Sequence, residues 1–83
     1  MKTIVYTRIA EKQLFALPLR AQEAIEDALE AYALTGRGDV LRLIGRPALR
    51  MRVGDYRVLF AEDGTTILAI QLGRRNEATY RGK

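Results

Sequence analysis

The chain reads as an α+β domain of order β-α-α-β-β-β, with two N-terminal helices packed on one face of a small, mainly antiparallel sheet. Three observations predict this. Apolar residues recur at helical spacing from Arg8 to about Leu34, and the period changes to that of strands from Asp39 onward. Apolar and basic residues alternate on both sides of Gly54-Asp55, the pattern of a hairpin with one buried face. Ahead of the helices, Lys2 to Thr7 alternates as a first strand does.

The elements follow in order. Arg8 to Leu17 carries Ile9, Leu14 and Leu17 at helical spacing and predicts a short helix. Pro18 interrupts it and suits the first turn of a second helix. That helix runs to about Leu34, with Ala21, Ile25, Ala28, Leu29 and Tyr32 as its apolar stripe. Glu23, Glu26, Asp27 and Glu30 fall on its other face and read as solvated charge rather than metal ligands. Gly36 is placed to cap its C-terminus. Val40 to Ile44 is a short extended segment, which leaves three or four strands after the helices. Gly45-Arg46-Pro47 is a turn, and strands follow at about 48–53 and 56–61. Glu62-Asp63-Gly64 is a further turn, and Thr65 to Leu72, apolar on both faces, is an interior strand.

At 83 residues the chain is one small domain, 1–83, with an ordinary apolar fraction of 48%. A domain of this size buries about 60–65% of its unfolded surface, so its stability is modest. It has no cysteine and no histidine. Those absences remove disulfides, zinc sites, thiol nucleophiles and every nucleophile that relies on an imidazole base. No metal and no cofactor is expected. No apolar run reaches the roughly 18–20 residues of a membrane span, and no signal-peptide block opens the chain, so a cytoplasmic protein is expected. The formal charge of +4 is uneven: residues 1–36 hold four Lys/Arg against five Asp/Glu, and residues 37–83 hold ten against five. A basic half of this kind suits nucleic acid or an acidic protein, or is simply a solvated surface.

The hairpin makes the basic half specific. If Gly54-Asp55 is a two-residue turn, Val53 pairs with Tyr56 and Arg52 falls directly opposite Arg57. Arg50, Arg52 and Arg57 then share one face, and Leu49, Met51, Val53, Tyr56, Val58 and Phe60 the other. Two guanidiniums about 6 Å apart repel by roughly 1–3 kcal/mol, depending on screening. A domain of this size has only about 4–12 kcal/mol in total. Nothing in the local sequence accounts for that cost, and an anionic ligand does. After the last strand come Arg74, Arg75, Tyr80 and Arg81, where Arg74 or Arg75 is expected to converge with Arg52 and Arg57. Arginine suits phosphate because its planar fork donates two parallel hydrogen bonds. Tyr80 supplies a ring for stacking and a hydroxyl.

The stretch Leu43–Phe60, with Arg-Val-Gly-Asp-Tyr-Arg-Val-Leu-Phe at its centre, followed by Leu72-Gly73-Arg74-Arg75 and Tyr80-Arg81, resembles the RelE/ParE superfamily of bacterial toxins. These are the toxin halves of type II toxin–antitoxin modules, and the resemblance implies a RelE-like fold across essentially the whole chain. RelE-like members are metal-independent, ribosome-dependent endoribonucleases that cut messenger RNA, the RNA's own 2′-hydroxyl attacking the adjacent phosphate. ParE-like members inhibit DNA gyrase instead. The resemblance implies a catalytic set of Arg50, Arg52, Arg57, Arg75 and Tyr80, with Arg46, Arg74 and Arg81 as further RNA contacts. In it Arg57 contacts the scissile phosphate, Arg75 serves the leaving oxygen, and Tyr80 stacks on or orients the substrate. The tail is one residue shorter than in the RelE archetype, which makes Arg74 an alternative to Arg75.

Arg50 and Arg52 stand where RelE-like enzymes often carry lysines. A general base must lose a proton near the working pH, and a guanidinium with a pKa above about 12 does not. Tyr80 is then the titrating candidate, and the arginines act by preorganised charge. Three readings follow: a messenger-RNA endonuclease, a gyrase inhibitor, or a degenerate toxin that keeps only partner binding. Each implies a cognate antitoxin with an acidic, partly disordered segment.

Overall fold

The computed structural model describes residues 1–74 of the chain. Its elements are β1 (Thr3–Tyr6), α1 (Arg8–Phe15), α2 (Leu19–Thr35), β2 (Val40–Arg42), β3 (Leu49–Val53), β4 (Tyr56–Glu62) and β5 (Thr66–Arg74). The expected order holds, and the short segment after the helices forms a strand, giving four strands after α2. They join β1 in one sheet of order β1-β5-β4-β3-β2. β1 runs parallel to β5, and the other neighbours are antiparallel.

Both helices lie on one face. Ala10 and Leu14 of α1 and Ile25, Leu29 and Ala33 of α2 share one buried cluster with Leu49, Met51, Val58, Phe60, Ile67, Ala69 and Leu72 of the sheet. The Tyr32 ring meets the Phe60 ring edge-on at 5.4 Å between centroids. Of the stripe read along α2, Ile25 and Leu29 are buried and Ala28 and Tyr32 pack against the cluster, while Ala33, outside the stripe, is buried as well. On α1 the expectation fails at Ile9, which is 62% exposed, and Ala10 takes the inward position.

The rotation of α1 has a local cause. Thr7 caps it by accepting from the Ala10 amide at 3.1 Å, while its own hydroxyl donates to the Ile70 carbonyl at 2.8 Å. Six residues on, Gln13 Oε1 accepts from the Leu72 amide at 2.6 Å. β1 ends at Tyr6, opposite Ala69, so these two side chains continue the pairing of the β5 edge where strand partners stop. Thr7 and Gln13 therefore both turn toward β5, and Ala10 and Leu14 turn inward with them.

Pro18 occupies the N-cap of α2, and Gly36 ends that helix in the left-handed conformation at φ 77°. A second set of contacts closes the sheet's other end: Lys2 Nζ donates to Glu62 Oε1 at 2.6 Å, and the Tyr32 hydroxyl donates to Glu62 Oε2 at 2.7 Å.

Candidate functional site

Among the described residues no element covers the other face of the sheet, and the hairpin register decides what it presents. Arg52 pairs with Arg57 and Val53 with Tyr56, as the two-residue turn requires. Gly54 has φ 59° and, among the described residues, only glycines have positive φ, the sign pattern of a type II′ turn with glycine first. Met51, Val58 and Phe60 are buried under the helices, so the alternate residues Arg50, Arg52 and Arg57 lie on the uncovered face. Three of the expected site residues are thus brought together.

Across the sheet, one row of that face reads Asp39, Arg52, Arg57, Gly73, and the next reads Leu41, Arg50, Leu59, Gln71. Gly73 adds no side chain beside Arg57. Arg57 and Arg50 are half-buried, whereas the Arg52 side chain is 52% exposed.

Nothing in the sequence local to the hairpin offered Arg52 a counter-charge, and the structure supplies one. Asp39 Oδ2 lies 2.9 Å from Arg52 Nε, and the Asp39 carbonyl accepts from the Arg52 amide at 2.9 Å. Asp39 stands just before β2, whose Val40 pairs with Met51, so the ladder itself brings it opposite Arg52. Sequence reading missed Asp39 because its place depends on the register of a three-residue strand. The available signal was the possibility of pairing Val40–Arg42 with the first hairpin strand.

Either Arg74 or Arg75 was expected to converge with Arg52 and Arg57, and the structure sends Arg74 to the other face. It pairs in register with Tyr56, and its guanidinium carbon lies 5.6 Å from the centre of the Tyr56 ring. The cause is a register shift between Leu59 and Phe60. Leu59 pairs with Gln71 and Phe60 with Ala69, so Ile70 is an extra residue in β5. One extra residue inverts the facing of everything after it. Ile67 and Ala69 are buried before the bulge and Leu72 after it, which puts Arg74 with Leu72 and Gly73 with Arg57. Arg46 is exposed in the loop between β2 and β3, at the end of β3 away from the Gly54 turn. Arg75, Tyr80 and Arg81 lie outside the described residues.

A groove of about 560 Å³ opens on the helix side, between Pro18, Ala21 and Ala24 of the α2 start and Val53 and Tyr56 of the hairpin. The basic face and the groove are therefore on opposite sides of the sheet. Among the described residues no group of three or more Asp, Glu, His or Cys is placed to hold a metal ion, and no helix is long and apolar enough to cross a membrane. Chemically, the row offers guanidinium donors on a solvent-facing strand pair, residue types suited to binding phosphate and to offsetting charge on it.

The architecture has known counterparts. A chain of the archaeal RelE–RelB complex from Pyrococcus horikoshii superposes with a TM-score of 0.77, at 22% identity over 93% of this chain and 98% of that one. A chain of a RelBE toxin–antitoxin complex from Mycobacterium tuberculosis gives 0.70, at 28% identity over 89% of this chain and 98% of that one. The fold is that of the RelE-like toxins. A YoeB/ParE toxin from Agrobacterium tumefaciens matches as well, with a TM-score of 0.73 and 20% identity over 90% of this chain and 99% of that one. No protein-family model and no curated protein matches the chain. The RelE-like fold accounts for the long excursion from β1 through both helices before the hairpin. It also supports the sequence-based expectation of two helices on one face.

Proposed function

We propose that the chain is the toxin of a type II toxin–antitoxin pair and acts as a RelE-like, metal-independent messenger-RNA endoribonuclease. The observation that carries the reading is the direct opposition of Arg52 and Arg57 beside Arg50 on a face that no other described element covers. In this reading the RNA's 2′-oxygen attacks the adjacent phosphorus, the bond to the 5′-oxygen breaks, and a proton reaches that leaving oxygen. Arg57 and Arg52 hold the bent phosphate and offset its growing charge. Arg75 serves the leaving oxygen, and Tyr80 orients the base or titrates. Because Arg74 faces Tyr56, Arg75 is the tail arginine assigned to the reaction. The ribosome supplies the remaining geometry.

The neutralising partner in this reading is an acidic antitoxin segment laid across Arg50, Arg52 and Arg57. Charge reversal at these arginines is expected to weaken both toxicity and antitoxin binding. Unchanged antitoxin affinity places that partner elsewhere.

The test is induction of the chain in a bacterial host with primer-extension mapping of translated transcripts. New cleavage ends are expected, and Arg57→Ala should reduce their rate by about 10²–10³-fold, the usual cost of one preorganised donor. Arrested growth with intact messages rejects the nuclease. Gyrase inhibition is the second reading, favoured by the two arginines at 50 and 52, which are unable to serve as a base. A supercoiling assay with purified gyrase separates the two, since the nuclease leaves supercoiling untouched.

A further inference from the structure

We infer that Asp39 is a positioning residue for Arg52, holding its guanidinium by Nε so that the two terminal nitrogens are presented to a phosphate on the open face. The inference rests on the reading of that face as a phosphate site. Its observations are the 2.9 Å contact from Arg52 Nε to Asp39 Oδ2 and the 2.9 Å backbone bond from the Arg52 amide to the Asp39 carbonyl. The backbone bond fixes where the carboxylate starts, and the side-chain bond fixes where the guanidinium points.

An arginine side chain has many rotamers, and an exposed one loses them when it clamps a ligand. Arg52 is such a residue, being 52% exposed. A carboxylate on Nε removes part of that loss in advance. It also selects among ligand geometries: with Nε engaged, a phosphate takes the end of the fork rather than its side. Asp39 thereby completes the row in which Arg57 is the neighbour on the other flank.

The same carboxylate has an opposing effect. Its charge repels the approaching phosphate, so Asp39 weakens binding while it orients the donor. At about 7 Å in water that repulsion is worth roughly a threefold change in affinity. Loss of orientation at a reacting phosphate costs more, about tenfold in rate. Removing the carboxylate should therefore shift KM and kcat in the same downward direction, a split that a merely structural role does not produce.

The experiment compares the full chain with Asp39→Ala, Arg52→Ala and the double variant. On the free proteins, the Arg52 Nε–H resonance is followed by nitrogen-edited NMR. An ordered, exchange-protected signal is expected in the wild type and its loss in Asp39→Ala. Binding of a short single-stranded oligoribonucleotide should tighten about threefold in Asp39→Ala. Ribosome-dependent cleavage by the same variant should fall about tenfold in kcat, with no additional loss when Arg52 is already alanine. An Arg52 signal unaffected by Asp39→Ala overturns the inference, as does a kcat loss that persists in full without Arg52. If the wild type cleaves no message, the proposed function fails while the NMR result still decides the role of Asp39.

Discussion

Arg52 stands directly opposite Arg57 on the β3–β4 ladder, with the Asp39 carboxylate on its other flank. An exposed ion pair of this kind contributes about 0.2–1 kcal/mol. The repulsion between two facing guanidiniums is roughly 1–3 kcal/mol, so one exposed carboxylate offsets part of it.

That balance predicts ligand-linked stability. A single-stranded oligoribonucleotide at ten times its Kd should add about 1.4 kcal/mol, which raises the melting temperature of a domain this size by several degrees. The shift should fade with added salt and vanish in an Arg52→Ala/Arg57→Ala variant. Differential scanning fluorimetry measures it directly.

Acid stability should depend on Glu62. The hydrogen bond from Lys2, then that from the Tyr32 hydroxyl, hold its carboxyl below the ordinary value of 4.5. A carboxylate with a depressed folded-state pKa adds stability above its unfolded value, and that stability is lost as the pH falls through the folded value. The contribution is therefore complete at neutral pH and declines from about pH 4.5 downward. Glu62→Gln should cost about 1 kcal/mol at pH 7 and flatten the acid limb of the stability curve. Urea titrations from pH 3 to pH 7 test both statements.

Gln13 bears on the exit of β5. Its Oε1 accepts from the Leu72 amide at 2.6 Å, where β1 no longer offers a partner. Gln13→Ala leaves that part-buried amide unsatisfied, and a loss of about 1–3 kcal/mol is expected. Gln13→Glu keeps an acceptor and should recover most of it. Hydrogen exchange at Leu72 should accelerate in the alanine variant alone.

The turn of the hairpin is similarly exposed to one substitution. Gly54 sits at φ 59°, a conformation that costs an L-residue about 1–2 kcal/mol. Gly54→Ala should lose about that much in chemical denaturation. It should also weaken oligoribonucleotide binding, because the turn sets the opposition of Arg52 and Arg57.

Much of this was legible along the chain because it is local. The opposition of Arg52 and Arg57 follows from alternation on either side of a two-residue turn, and the buried stripe of α2 follows from helical period. Ile9 was misread as inward because a short helix tolerates more than one inward side. The choice was made by Thr7 and Gln13 reaching β5, contacts that span 63 and 59 residues. Arg74 and Arg75 could not be told apart along the chain, because one extra residue in β5, which no period of two reveals, sets the facing of Arg74.

The sequence by itself determined the elements, the hairpin register and the basic face, since each depends on neighbours a few residues apart. Only the tertiary structure decided which cations share that face and which carboxylate attends them. Asp39 reaches Arg52 through a strand ladder, and Arg74 leaves the cluster through a bulge. Both outcomes depend on pairing between distant strands, where a single-residue slip exchanges the two faces of the sheet.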